Sequence, residues 1–586
     1  MSGFASSLST IWRLAAPYFR SEDRWAGLAL LATLIGCELS MVGIIVLLNR
    51  WFARFYNSLQ ERNWETFIHE LGFYCLLAAA ATVLQVYQLY LNQWLQIRWR
   101  RWMTKEYLSY WLDKATHYRM QLFGDAADNP DQRIADDIRM FIERTLTIGV
   151  GLLGAVVTLA SFVLILWGLS AAAPATMFGL AIAVPGYLVW AALIYAVCGT
   201  FFTHLIGRRL VDLNFNQQRF EADFRFNLVR VRENSEQIAL LSGEKAETDR
   251  LLTRFGRVVA NWHRIMTRQK HLTFFTTGFT RAAVVFPYVV VSPAYFAGLM
   301  QLGALVQTAN AFNQVETAMS FFITVYRDLA EWRAVIARLD GFNRSIGTAR
   351  DAATTPPRES DEIVPANAGL TIERLSVRLP TGAPLVTTDE LFIKAGERAL
   401  ITGPSGSGKS TLFRAIAGVW PFGAGNIVVP RGSKIMILPQ RPYFPIGSLE
   451  GAVSYPSDQG TFDIARVVQV VHSVGLPALA QRMSEEAHWN RILSGGEQQR
   501  LAIARAILQE PDYLFLDEAT AALDEPSEAK LYQLLHERLP RATIVSIGHR
   551  STLHAFHTRH LALHPEGGQH RMQPAKRPVD EKVAGS

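Results

Sequence analysis

Gly403-Pro404-Ser405-Gly406-Ser407-Gly408-Lys409-Ser410 has the spacing G-x-x-x-x-G-K-[ST], in which a glycine-rich turn wraps the phosphates of a nucleotide. At average residue frequencies a chance match somewhere in 586 residues is expected only about 0.02 times. Gly403, Gly406 and Gly408 allow successive backbone N–H groups to crowd around phosphate oxygens. Pro404, Ser405 and Ser407 complete the turn, and a helix opening at Lys409, Ser410 and Thr411 would add the partial positive charge of its N-terminus. Lys409 would reach the β- and γ-phosphates. The Ser410 hydroxyl would ligate Mg²⁺, with Asp517, at the end of the apolar run Tyr513-Leu514-Phe515-Leu516, as its carboxylate partner. Glu518 follows directly, placed to orient or deprotonate the water that attacks the γ-phosphate.

About ninety residues past the loop the chain reads Leu493-Ser494-Gly495-Gly496-Glu497-Gln498. This run resembles the signature of ATP-binding-cassette (ABC) ATPases. The resemblance implies roles for three more residues: Gln440, in Ile437-Leu438-Pro439-Gln440, as the Q-loop residue sensing the γ-phosphate and Mg²⁺; Asp524 as the D-loop aspartate; and His549 as the switch histidine. It also implies that Ser494, Gly495 and Gly496 close over ATP held by the phosphate loop of another cassette. One cassette is present here, so a second identical subunit would complete two equivalent sites. The chain departs from the family in one respect. Many cassettes stack adenine on an aromatic residue just before the phosphate-loop strand, whereas Ser376-Val377-Arg378-Leu379-Pro380 has none and offers Leu379 instead.

These residues need two kinds of scaffold. A mean hydropathy of +0.11 with 19% charged residues is too apolar for an ordinary soluble chain of this length. Six apolar segments long enough for a bilayer fall near Ala26–Leu48, Leu71–Leu95, Ile148–Leu169, Met177–Ile206, Leu272–Leu299 and Gly303–Tyr326. Trp12, Arg13, Phe19 and Arg20 before the first suggest an interfacial helix rather than a cleaved leader. Arginine and lysine crowd Arg98–Arg139 and Arg208–Lys270, which places those segments, the N-terminus and the ATPase domain in the cytoplasm. The net charge of +7 is read as this topology, not as nucleic-acid binding. Cys37, Cys75 and Cys198 sit in apolar runs with no metal-ligand spacing.

The expected fold class is a six-span α-helical membrane domain of the ABC exporter type followed by an α/β nucleotide-binding domain. The expected boundaries are a membrane domain over 1–345, a linker over 346–368 around Thr354-Thr355-Pro356-Pro357, an ATPase domain over 369–564 and a disordered tail over 565–586. The sixth segment carries Gln307, Asn310, Gln314 and Thr317 at intervals of three and four, flanked by Asn313 and Glu316. This stripe either lines a water-filled substrate cavity, the reading preferred here, or bonds helix to helix. Glu38 and Arg281 also fall within apolar runs, and the sequence leaves their partners open.

Leu95-Gln96-Ile97-Arg98-Trp99-Arg100, Asn129-Pro130-Asp131-Gln132-Arg133-Ile134, Asn234-Ser235-Glu236-Gln237-Ile238-Ala239, Leu329-Ala330-Glu331-Trp332-Arg333 and the cassette run from Leu412 to Pro421 make the resemblance narrower. The chain resembles ABC half-transporters of the SbmA/BacA-like group with a fused cassette, whose relatives include mycobacterial cobalamin transporters and peroxisomal fatty-acyl transporters. That likeness implies an ATP- and Mg²⁺-dependent homodimer in a bacterial inner membrane. Its cargo would be bulky and hydrophilic, such as peptides or cobalamin, or alternatively lipid and fatty-acyl. It further implies that Asp131–Asp137 and Glu233–Gly243 lie in or near the loops that dock on the cassettes. A soluble ATPase acting on nucleic acid is disfavoured by the six apolar segments. An ATP-gated channel is disfavoured by the intact Glu518.

Overall fold

Uncharged runs bordered by arginine clusters fold here as long helices. The computed structural model describes residues 2–123, 129–172, 175–177, 180–182, 184–352, 358–359, 369–430 and 432–575. The helices of the N-terminal part are α1 (Ser2–Ala15), α2 (Arg24–Gln60), α3 (Trp64–Leu112), α4 (Thr116–Leu122), α5 (Pro130–Gln132), α6 (Ile138–Ala172), α7 (Tyr187–Glu233), α8 (Ser235–Leu240), α9 (Glu244–Phe296) and α10 (Leu302–Ala352). At 1.5 Å per residue, the 47 residues of α7 extend roughly 70 Å, about twice the hydrocarbon thickness of a bilayer. Its uncharged half ends at Gly207, and arginine-rich helix continues beyond.

Contacts divide the chain into two units, one of residues 1–106 and 131–340, the other of 107–130 and 341–586. Among the described residues, five helical stretches are long and apolar enough to cross a membrane: Arg24–Gln60, Trp64–Leu122, Pro130–Ala171, Tyr187–Glu233 and Glu244–Phe296. The sixth expected segment lies on α10, a continuous helix of 51 residues that is not among those five. Its amides and Glu316 dilute its apolarity. The fourth segment starts later than expected. Residues 175–177 and 180–182 pair as an antiparallel hairpin, β1 and β2, and α7 begins only after Pro185 and Gly186, whose φ of 70° turns the chain.

Close approaches fix the helix contacts. Gly303 donates its backbone N–H to Asn57 Oδ1 at 2.8 Å, and a Cβ there would stand 2.0 Å from the Ala53 carbonyl oxygen of α2. Glu38 accepts a hydrogen bond from Gln88 Nε2 at 2.5 Å, and its carboxylate fills the space that a side chain at Gly154 would need. Glu38 therefore bonds to Gln88, and Arg281 has no ion pair among the described residues. Before α2 the chain folds back, so that Tyr18 stacks on Trp99 with ring centroids 5.5 Å apart. Arg13 pairs with Asp340, and Trp12 stays exposed.

Within Asp131–Asp137 the last carboxylate is engaged inside its own unit. Asp137 is fully buried in the first unit, where Arg133 binds it and Arg338 grips it through Nε at 2.9 Å and Nη2 at 2.6 Å. The segment that joins the cassette unit is α4. Buried Arg119 donates to the Gly418 carbonyl at 2.7 Å, Leu122 packs against the core, and Phe123 meets Phe422 edge-on at 5.2 Å. Arg119→Ala should remove a charge-assisted hydrogen bond worth about 2 kcal/mol. The thermal midpoint of the cassette should then fall by roughly 4–8 °C, as read by differential scanning fluorimetry of the purified chain. An unchanged midpoint would mean that Arg119 contributes nothing there.

The second unit is built on a ten-stranded sheet in the order β3-β7-β4-β5-β14-β13-β6-β12-β11-β8. Its strands are β3 (Arg358–Glu359), β4 (Leu370–Arg378), β5 (Pro384–Ile393), β6 (Arg398–Thr402), β7 (Gly423–Val428), β8 (Ile435–Leu438), β11 (Tyr513–Asp517), β12 (Thr543–Ile547), β13 (Arg559–Glu566) and β14 (Gln569–Pro574). A separate short pair joins β9 (Gly447–Ser448) to β10 (Glu486–Ala487). Around them lie α11 (Lys409–Ile416), α12 (Leu449–Ser454), α13 (Ile464–Ser473), α14 (Pro477–Ala480), α15 (Trp489–Ile492), α16 (Gly495–Gln509) and α17 (Glu525–Arg538). β8, β11, β12, β6 and β13 run parallel, and both sheet faces are covered by apolar clusters centred on Phe515, Val545 and Phe413 on one side and Leu514, Leu516 and Leu501 on the other.

Two expected boundaries change. α10 continues to Ala352, and β3 adds to the edge of the sheet beside β7, so part of the expected linker is ordered; Thr354–Pro357 lies outside the described residues. The chain past His564 also remains in the sheet. Pro565↔His570 and His564↔Arg571 pair across Gly567-Gly568, a turn whose glycines both take positive φ, so Gly and charge there mark a hairpin and not a tail. Residues 576–586 lie outside the described residues.

Candidate functional site

Strand register brings the chemistry together. Ile401 pairs with Ile547, Ile547 with Asp517, and Leu516 with Leu438, so the turns leaving β6, β12, β11 and β8 emerge side by side at the carboxyl edge of the parallel strands. Open α/β sheets place ligands at that edge. These four turns carry Gly403–Gly408, His549, Glu518 and Gln440.

The loop after β6 takes the conformation its glycines permit. Gly406 and Gly408 have φ of 77° and 91°, and a Cβ on Gly408 would lie 2.6 Å from Val386. Lys409 is buried at the start of α11 and donates to the carbonyls of Gly403 at 2.9 Å and Pro404 at 2.8 Å, so its ammonium lies across the loop. Burial lowers its pKa, against the pull of Glu518 and Asp517. Ser410 donates its hydroxyl to Asp517 Oδ1 at 2.8 Å. Burial raises the Asp517 carboxyl, the Ser410 hydrogen bond opposes that, and the neighbouring Glu518 adds to the rise.

Glu518 is the meeting point. One carboxylate oxygen accepts from Gln440 Nε2 at 2.9 Å, and the other lies 3.2 Å from His549 Nε2. Its φ of 50° is left-handed, uncommon for a glutamate, and its N–H reaches the Ile547 carbonyl at 3.2 Å. Strain of this kind gathers at functional sites. The carboxylate is thus held from both sides above the end of β11.

The donor set fits a nucleotide triphosphate with Mg²⁺. Ser407 Oγ is buried with no hydrogen-bond partner among the described residues, and Gly406 has nothing within 4 Å of where a Cβ would stand. An unsatisfied hydroxyl and an open backbone face are what an anion bound in the loop would use. The Ser410–Asp517 pair supplies two hard oxygen ligands.

The signature forms a second group. Ser494 caps α16 in a reciprocal capping box with Glu497, leaving Gly495 and Gly496 in the first helical turn. Gly496 lies close to Leu523, and Asp524 stands at the N-cap position of α17, its pKa lowered chiefly by the Ser527 hydroxyl. No hydrogen bond joins Ser494, Gly495 or Gly496 to the loop 403–410 among the described residues.

Sequence reasoning missed two residues that join these parts. Buried Gln499 donates to the Gln440 carbonyl at 3.3 Å and accepts from Ala522 N–H at 2.8 Å, tying signature helix, Q-loop and D-loop together. Arg550 reaches the carbonyls of Leu523 at 2.6 Å and Ala521 at 3.2 Å, tying the His549 turn to the D-loop. Their only sequence signal is adjacency to Gln498 and His549. Leu379 ends up exposed in the tight turn after β4.

A buried imidazole gives the cassette a pH signature. His557 Nδ1 donates to the Leu553 carbonyl at 2.8 Å, its Nε2 lies 2.8 Å from Ser546 Oγ, and burial pushes it down to about 4. Its ordinary value is 6.5, so the unfolded chain binds this proton first. Stability is then fully present above pH 6.5 and falls as pH drops from 6.5 toward 4, with a slope up to about 1.4 kcal/mol per unit. The thermal midpoint should decline between pH 7 and 5, and His557→Gln should flatten that decline; equal slopes in both chains would exclude His557 as its source.

Comparison with known proteins agrees with this geometry. The family model "ABC transporter transmembrane region 2" matches residues 14–296, and the model "ABC transporter" matches residues 386–521. The "Inner membrane ABC transporter ATP-binding protein YddA" of Escherichia coli is 32% identical over 92% of this chain and 94% of its own. The chain belongs to the ABC transporters. It is a half-transporter with fused membrane and ATPase domains, and it couples ATP hydrolysis to transport. The human "Lysosomal cobalamin transporter ABCD4" is 26% identical over 87% of both chains. A solved structure titled "Structure of a bacterial Atm1-family ABC exporter with ATP bound" shares the fold, with a TM-score of 0.72 at 18% identity over 92% of this chain and 94% of its own.

Proposed function

We propose that two copies of this transporter pair so that each ATP lies between the phosphate loop of one cassette and the signature of the other. Each bound ATP would touch Gly403–Thr411 from one subunit and Ser494, Gly495, Gly496 and Asp524 from its partner copy. The absence of any hydrogen bond between the two groups among the described residues of one chain supports this reading. Mg²⁺, held by Ser410, Asp517 and Gln440, would neutralise charge on the β- and γ-phosphate oxygens. Lys409 would turn from the loop carbonyls to the phosphates. Glu518 would orient the attacking water and take its proton, with Gln440 and His549 fixing the carboxylate plane. The observation that carries this mechanism is the convergence of Gln440 and His549 on the two oxygens of Glu518.

For cargo, the reading supported best is a bulky hydrophilic solute of the cobalamin or peptide kind, moved across a bacterial inner membrane with the N-terminus and cassettes cytoplasmic. On α10, Thr317 is exposed and Gln314 half-buried, and these two carry the cavity assignment. Gln307 instead bonds Asn49 of α2 at 3.2 Å, Asn310 its own Val306 carbonyl at 3.0 Å, and Glu316 the Ser320 hydroxyl at 2.9 Å, so those three are already engaged. The cobalamin named for the human relative adds support, and the inner membrane named for the Escherichia coli one favours that location. Lipid or fatty-acyl export is the second reading, favoured by the apolar surface of α3 around Val86 and Leu89. ATPase stimulation in proteoliposomes by cobalamin, a cationic peptide and an acyl-CoA separates the two. Stimulation by acyl-CoA alone would overturn the hydrophilic assignment.

A further inference from the structure

Outside the nucleotide site, an open cup of about 630 Å³ between α7 and α9 is lined by Arg209, Asp212, His263, Arg264, Thr267 and Arg268. It belongs to a fixed hairpin. Asn261 Nδ2 donates across to the Leu213 carbonyl and to Gln217 Oε1, both at 2.9 Å, and Tyr195 donates its hydroxyl to the Phe279 carbonyl at 2.7 Å. Between those ties Gly207 and Gly199 pass beside Leu272 and Phe279 with no side chain to separate the helices. Three guanidiniums meet one carboxylate in the cup, and Arg209, Arg264 and Arg268 make no ion pair among the described residues. Unpaired arginines gathered on a rigid frame offer forked donors to a phosphate.

The height of the cup along the helices narrows what that phosphate belongs to. α7 carries no Asp, Glu, Lys or Arg from Tyr187 to Gly207, and α9 carries only Arg281 from Leu272 to Phe296. Arg209 and Arg268 stand within a turn of the ends of those two apolar runs, at headgroup depth. A second, separate cavity of about 770 Å³ lies on α9 toward its apolar half, lined by Lys270, Met266, Thr273, Phe274 and Gly278, with Phe274 among the most exposed apolar side chains of the chain. A cationic cup followed along the same helix by an apolar groove has the two chemistries of an anionic phospholipid in their membrane order.

We propose that Arg209, Arg264 and Arg268 bind the phosphate of an anionic phospholipid of the cytoplasmic leaflet, with an acyl chain along the groove past Phe274. The assignment rests on the membrane orientation given above. Basic pockets between membrane helices on this side hold such headgroups, and the groove adds apolar contact that a soluble anion lacks.

The test is native mass spectrometry of the full chain released from nanodiscs of phosphatidylcholine with phosphatidylglycerol. Retained phosphatidylglycerol should fall at least about tenfold in the variant Arg209→Gln/Arg264→Gln/Arg268→Gln. Equal retention overturns the proposal. Full displacement by millimolar inorganic phosphate or glycerol phosphate also overturns it, because the site would then take a soluble anion. Thermal unfolding in pure phosphatidylcholine guards against a folding defect. Should the triple variant unfold early, Arg268→Gln alone must still lower retention about threefold, or the proposal fails. ATPase activity in phosphatidylcholine alone reports separately on the nucleotide site.

Discussion

Glu518→Gln should lower ATP hydrolysis by at least about 10²-fold and leave nucleotide affinity within about twofold. The amide keeps the size of the carboxylate and can still accept from Gln440 Nε2, now 2.9 Å away. It loses the negative charge and the basicity that a water-activating group needs. The left-handed backbone at this position is set by the turn between β11 and the D-loop, so the exchange leaves the site's frame in place. Binding of a fluorescent ATP analogue together with phosphate release in detergent separates the two effects. Hydrolysis kept within tenfold would place the base elsewhere. His549 would be the next group to examine, because it reaches the other oxygen of the same carboxylate.

Lys409→Ala should act earlier, on binding. The Lys409 ammonium is buried and spans the Gly403 and Pro404 carbonyls, so the loop is organised around it before nucleotide arrives. Loss of a charge-assisted contact of about 1.5–3 kcal/mol should weaken ATP affinity by roughly 10- to 100-fold. Hydrolysis should fall at all attainable ATP concentrations. Isothermal titration with native and variant chains measures the shift; an affinity within threefold of native would mean that the backbone N–H groups of the loop, and not Lys409, hold the phosphates.

The residues legible in the sequence are those whose function demands a fixed type at a fixed spacing. Gly403 to Ser410 can be read from the chain because left-handed turns and a phosphate-facing backbone restrict the residue types. The membrane helices could be placed because a bilayer imposes length and apolarity together. Their ends were less legible. α7 starts ten residues after the expected Met177, because Pro185-Gly186 stops the run that hydropathy alone continues. Gly567-Gly568 looks like disorder by composition, yet positive φ at both lets β13 return as β14.

Gln499 and Arg550 escape a sequence reading for another reason. Each works by reaching a backbone carbonyl on a different turn, and no spacing rule marks such a contact. Glu38 is a similar case, since its partner Gln88 lies fifty residues away on another helix. In the polar stripe of α10, helical periodicity predicts a common face but not the neighbour facing it. Gln307 met Asn49, whereas Thr317 met no polar partner among the described residues.

The central claim, that each ATP site is shared by two copies of this chain, is tested by mixing two inactive variants. Lys409→Ala disables the phosphate loop and Gly495→Asp the signature, so homodimers of either variant have no intact site. Co-expressed in equal amounts with separable tags, half of the dimers should be mixed, each with one site free of both substitutions. The account predicts recovery of ATPase activity to roughly a quarter of the native level, confined to doubly tagged dimers. Doubly tagged dimers with no activity above either parent would contradict it.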